Sequence, residues 1–148
     1  MRRGEVAVFK KYFSIEEANE QLPAVREELA HLQLLQRQLR STYNHLQTLK
    51  KSKLEESRKI KDDIFILESS IEFLQIEADS LIRQLEHENI YIKSVSHGLV
   101  DFPAIVEGKE VFLCWKQGEE YVTHYHEIST SYENRKKIFA TDDDQLGE

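Results

Sequence analysis

Asp101, Cys114, Glu119, His124 and His126 are the side chains of this 148-residue chain whose types and spacing could do chemistry. His124 and His126 stand two apart in a stretch that reads as a strand, so they share one face, as metal ligands often do. Glu107-Gly108 reads as a two-residue hairpin turn, which pairs Val106 with Lys109. Counting back, Asp101 falls opposite Cys114 on a face that also carries Pro103, Ile105 and Phe112. A carboxylate beside a thiol in partly apolar surroundings is a metal half-site or a tuned acid, and a further ligand from the histidines or Glu119 would suit zinc or another transition metal. The next turn decides whether the histidines join it. A connection of two or four residues across Gln117 to Glu120 puts both on the face opposite to Cys114, and one of three residues puts them beside it.

Nucleophilic catalysis by Cys114 with His126 has less in its favour. A reactive thiol needs an exposed, electropositive setting, whereas Cys114 is mid-strand beside Trp115 in an acidic half of the chain. The plainer account makes Asp101 a turn-bonding side chain, Cys114 a small buried hydrophobe and the histidines ordinary sheet residues that need no cofactor.

The elements that must position these residues follow from periodicity. Glu5 to Phe13 is β-branched and aromatic enough for a short strand. Ser14 with Glu17 forms a capping box that starts a helix near Ile15, and Pro23 predicts a kink or a fresh helix. Leu32, Leu39 and Leu46 recur at sevens, with Leu35 and Leu49 between them. A second seam runs through Ile60, Ile64, Leu67, Ile71, Leu74, Ala78, Leu81 and Leu85. The expected fold is therefore α+β: a long antiparallel, coiled-coil-like helical hairpin followed by a small antiparallel β-meander. Its parts are 1–22, a strand and capped short helix; 23–89, the hairpin, with its tip near 50–59; 90–139, the meander; and 140–148, an acidic flexible tail. Asn89 is a tolerated left-handed residue at the end of the second arm. Strands at 90–95, 99–106, 109–116 and 121–128 are separated by turn signals at His97-Gly98, Glu107-Gly108 and Gln117-Gly118-Glu119.

Charge narrows the function classes. The net charge of −7 argues against general nucleic-acid binding. Lys50, Lys51, Lys53, Arg58, Lys59 and Lys61 gather at the hairpin tip without interleaved aromatics, which fits a solvated turn better than a strand-stacking surface. One cysteine allows no internal disulfide, and neither a signal-peptide-like start nor an apolar run of membrane-spanning length is present. A cytoplasmic protein is the expectation. Leu29, Leu34, Phe65, Ile66, Phe73, Ile76 and Ile82 lie outside the strict seams and widen the apolar surface, which predicts a dimer or larger homo-oligomer.

The run Gly98 to Ala104, then Gly108, Val111-Phe112-Leu113-Cys114-Trp115, Gly118-Glu119, His126-Glu127 and Arg135 resembles the bacterial family catalogued as domain of unknown function 2203. The stretch Phe13 to Pro23 is similar to that family's opening, so the resemblance covers nearly the whole chain. Its pattern favours Trp-His where this chain has Tyr125-His126, and a glycine before the last arginine where this chain has Ser131. The resemblance implies no activity.

The leading expectation is a non-enzymatic protein–protein interaction or assembly module, its partner unidentified, in which the meander does the docking. Phe102, Trp115, Tyr121 and Tyr125 would then be anchor or core aromatics, Gly98, Gly108 and Gly118 turn formers, and Asp101, Glu119 and Arg135 polar partners that fix the meander, with Pro103 part of the same interaction or structural motif. The alternative is a metal-binding or enzymatic domain centred on Asp101, Cys114, Glu119 and His126, with His124 as a further ligand. The two differ in whether those polar side chains converge on a concave pocket or scatter over both sheet faces.

Overall fold

The computed structural model describes residues 9–52 and 57–138. Two long helices precede a five-stranded antiparallel sheet: α1 Ile15–Lys50, α2 Arg58–His87, β1 Tyr91–Ser94, β2 Leu99–Val106, β3 Lys109–Lys116, β4 His124–Glu127 and β5 Lys136–Lys137, with a 3-10 helix at Tyr132–Asn134. The sheet order is β1-β2-β3-β4-β5, a plain meander. The described chain divides into two compact units, one of residues 9–27 and 84–138 and the other of 28–83.

The capping box starts α1: the Ser14 amide donates to Glu17 Oε1 at 2.9 Å and the Glu17 amide to Ser14 Oγ at 3.0 Å. The helix then runs through Pro23 without a break, so no fresh helix begins there. An interior proline costs about 3 kcal/mol. Ala18, Leu22 and Val25 offset this by burying one face of the helix almost completely, while Pro23 stays exposed on the other. The expected strand over 5–13 is absent from its described part: residues 9–14 form no strand, and residues 5–8 lie outside the described residues. Phe13 nonetheless packs edge-on against Phe102, and its amide donates to the Pro103 carbonyl at 2.7 Å.

The second unit is a helical pair. His31 meets Glu77 and Lys50 meets Glu68, so the chain reverses between α1 and α2. The Ile60 amide donates to Ser57 Oγ and caps the second helix. Of the basic residues at the turn, Lys50 and Lys59 are tied to Glu68 and Asp63. Lys51, Arg58 and Lys61 are exposed, and Lys53 lies outside the described residues. Leu29, Leu32, Leu35 and Leu46 are buried, whereas the α2 seam from Ile60 to Leu81 is only half-buried.

α2 ends in a Schellman motif. Asn89 takes φ 62°, the Ile90 amide reaches the Leu85 carbonyl and the Asn89 amide reaches that of Glu86. Glu107 and Gly108, both at positive φ, make the tight turn between β2 and β3, and that turn sets the register Val106↔Lys109 and Asp101↔Cys114. β4 starts later than expected because the Val122 amide leaves the ladder for Asn19 Oδ1 at 2.7 Å and the Val122 side chain enters the core. β5 was not expected. Two lysines with no apolar alternation give no strand signal, and pairing with β4 alone makes them one. The predicted tail at 140–148 lies outside the described residues.

Candidate functional site

Alternation along β2 and β3 sends neighbouring side chains to opposite faces of the sheet. Val100, Phe102, Ala104, Val111, Leu113 and Trp115 are buried on one face, where Phe13 meets Phe102 and the Arg26 guanidinium lies 5.7 Å from the Trp115 ring. Of the two roles open to them, anchor or core, Phe102 and Trp115 take the core one. Pro103 is buried as well. Of the proposed anchors, Tyr121 is exposed and Tyr125 half-buried.

The other face carries the polar groups. Tyr91, Asp101, Cys114, His124 and Lys137 occupy one cross-strand row, since each is paired with the next. The odd connection 117–123 puts both histidines on the face of Cys114, settling the alternative left open by the sequence. The histidine that reaches the carboxylate is the diagonal one. His126 pairs with Phe112 in register, yet its Nε2 lies 3.0 Å from Asp101 Oδ2, two strands away. Cys114 stands between these two strands on β3.

Asp101, Cys114 and His126 are all buried, and one ligand-type atom from each lies within 4.8 Å of the others. His124 is not in this group, and its Nδ1 is engaged by Thr123 Oγ1 at 2.9 Å. Glu119 is also elsewhere. It takes both arms of the Arg135 guanidinium and the Lys116 amide, while the Trp115 indole donates to its carbonyl. Glu119 and Arg135 thus clamp the β3–β4 connection to the segment before β5, and the Arg135 guanidinium also stacks 4.4 Å from the Tyr132 ring. Gly118, at φ 106°, makes the turn beside them.

Electrostatics follow from burial. Desolvation raises the Asp101 pKa above the ordinary carboxylate value, against the pull of His126 and Lys93. The Cys114 thiol is pushed up to about 12, first by burial and then by Asp101, with Arg135 opposing. Burial also pushes Glu119 upward, but hydrogen bonds from Arg135 and the Lys116 amide outweigh it and hold that carboxyl below its ordinary value. His124 is lowered by burial and by Arg135.

The arrangement does not activate Cys114 as a nucleophile. Both nitrogens of His126 are engaged, Nδ1 with the Glu127 carbonyl at 2.9 Å and Nε2 with Asp101, so neither is free to take a thiol proton. It does supply a nitrogen, an oxygen and a sulfur at the floor of a cavity. That cavity, about 560 Å³, has Leu99, Phe112 and Ile128 as apolar walls and Lys93, His97 and Tyr132 among its polar lining. Lys93 was missed from sequence. The register of β1 slips between Ile92 and Ser94, and the bulge at Lys93 accompanies its ammonium lying 4.8 Å from the Phe112 ring. No alternation rule forecasts a bulge there.

Comparison with known proteins gives a family and nothing more specific. The family model described as Uncharacterized conserved protein (DUF2203) matches residues 11–138, and the chain belongs to that family. No curated protein and no solved structure matches it. Among the described residues no helix is long and apolar enough to cross a membrane.

Proposed function

We propose that this member of the DUF2203 family is a small-molecule-binding domain whose ligand occupies the cavity above Asp101, Cys114 and His126. The observation that carries the reading is convergence. Three polar side chains from three strands meet at the floor of one concave, largely apolar pocket instead of scattering over two faces. Its volume lies within the range that binds metabolite-sized ligands. The burial of Phe102 and Trp115 in the core also supports a pocket over a docking role for these aromatics of the meander.

Methyl-detected NMR with a set of fragment-sized aromatic and amphipathic probes tests the proposal. Probes should shift the Leu99 and Ile128 signals together, and Leu99→Trp, which fills the cavity, should abolish the response. If no fragment moves either signal at millimolar concentration, the reading is wrong.

A second reading concerns the helical unit, where Phe65, Ile66, Phe73 and Ile76 are 58 to 70% exposed along one stripe of α2. We read this stripe as a self-association surface. In an antiparallel second copy Ile66 meets Ile76 and the Phe73 ring meets the small Ser69, so large and small side chains alternate across the contact. Light scattering should give a dimer that Phe73→Asp dissociates. A monomer at high micromolar concentration excludes it. A cytoplasmic location belongs to the same set of proposals, supported by the single, unpaired Cys114.

A further inference from the structure

We infer that Asp101, Cys114 and His126 form a three-ligand centre for a divalent metal of the zinc class, with its fourth side open to the pocket. The inference rests on the reading of that pocket as a binding site and adds what its floor holds.

The first support is spacing. Tetrahedral zinc, with bonds of about 2.0 to 2.3 Å, holds its ligand atoms about 3.3 to 3.6 Å apart. Here Nε2 and Oδ2 are 3.0 Å apart and the sulfur lies within 4.8 Å of both, so side-chain adjustments of about an ångström complete the set. The second support is the tautomer. The Glu127 carbonyl can only accept, so His126 Nδ1 carries a hydrogen, and Nε2 is the nitrogen that faces Asp101 Oδ2 and would serve a metal. A ring nitrogen and a carboxylate oxygen 3.0 Å apart share one positive centre between them. A proton supplies it in the metal-free protein, and a metal ion accepts both lone pairs at once. A histidine ligand whose other nitrogen donates to a carbonyl is the usual outer support of a metal centre.

The third support is the donor set. One thiolate, one imidazole and one carboxylate suit zinc and its neighbours and do not suit magnesium or calcium. Three protein ligands beneath an open cavity leave room for water or a pocket ligand on the metal.

The test is to load the full-length chain, purified without a polyhistidine tag, with zinc and separately with cobalt. Elemental analysis after dialysis should give one zinc per chain. The cobalt form should show a thiolate-to-cobalt charge-transfer band in the near ultraviolet and intense visible bands of tetrahedral geometry. Cys114→Ser should remove the charge-transfer band, and each of Cys114→Ser, His126→Gln and Asp101→Asn should weaken zinc binding more than about 100-fold while keeping the circular dichroism of the parent. His124→Gln should leave binding unchanged. Absence of stoichiometric metal, or a charge-transfer band that survives Cys114→Ser, overturns the inference. Fragment binding without cobalt bands removes the metal and leaves the pocket; cobalt bands without fragment binding do the reverse.

Discussion

Phe102 and Phe73 are the same side chain in two settings, the first wholly enclosed in the sheet unit and the second 70% exposed in the helical unit. The contrast extends beyond these two. In the sheet unit, side chains from β2 and β3 fill one face almost without solvent contact and the other face gathers the ionisable groups. In the helical unit the α2 seam is half-buried, and the ion pairs join exposed or partly exposed groups worth little individually. One region has a core that can hold buried polar groups in place. The other has a surface whose energetics depend on what covers it.

The sharpest way to break this comparison is to truncate the two rings. Phe102→Ala should cost about 3 to 5 kcal/mol in denaturant unfolding, while Phe73→Ala should change monomer stability by about 0.5 kcal/mol or less. Equal losses, with the Phe73→Ala loss dependent on protein concentration, would mean that the helical stripe is covered in solution.

Gly98 comes next. It sits at φ +67°, and an added Cβ would lie 2.5 Å from Gln117 Cβ. Gly98→Ala should therefore lower stability by about 2 kcal/mol through the left-handed backbone and the clash. Gly108→Ala, at positive φ but with nothing within 4 Å, should cost less. A thermal melt ranking them the other way would contradict the packing of that corner.

Asp101→Asn sharpens the contrast in the opposite direction, since it should stabilise the metal-free protein at neutral pH by about 1 kcal/mol. Folding raises the Asp101 pKa, so its neutral form is the one that the fold favours. The group's contribution to stability is full below the ordinary carboxylate pKa and is lost as pH rises through the raised folded value. Asparagine stays neutral throughout and can donate to His126 Nε2. Its advantage over the parent should grow from acid to neutral pH in parallel urea titrations; a flat difference would falsify the assignment.

The smallest effect belongs to the boundary of α1, where Ser14→Ala removes one half of the capping box and should cost about 1 kcal/mol. If it proves neutral, the helix start is set by the burial of Ala18 and Leu22 and not by the cap.

What could be read in the sequence was whatever depends on neighbours in the chain. The capping box, the left-handed Asn89, the two-residue turn at Glu107-Gly108 and the resulting Asp101↔Cys114 register are local, because hydrogen bonds across three or four residues and a two-residue side-chain period determine them. Only the tertiary structure decided the rest. The sequence places His124 and His126 on a common face, but the diagonal reach of His126 across β3 selects which of them meets Asp101. Pro23 breaks a helix in isolation, yet the buried face around it keeps α1 continuous. Phe102 and Trp115 could be anchor or core by sequence, and they are core because the sheet turns that face inward. In each case the deciding energy comes from contacts between residues far apart in the chain, which no local pattern records.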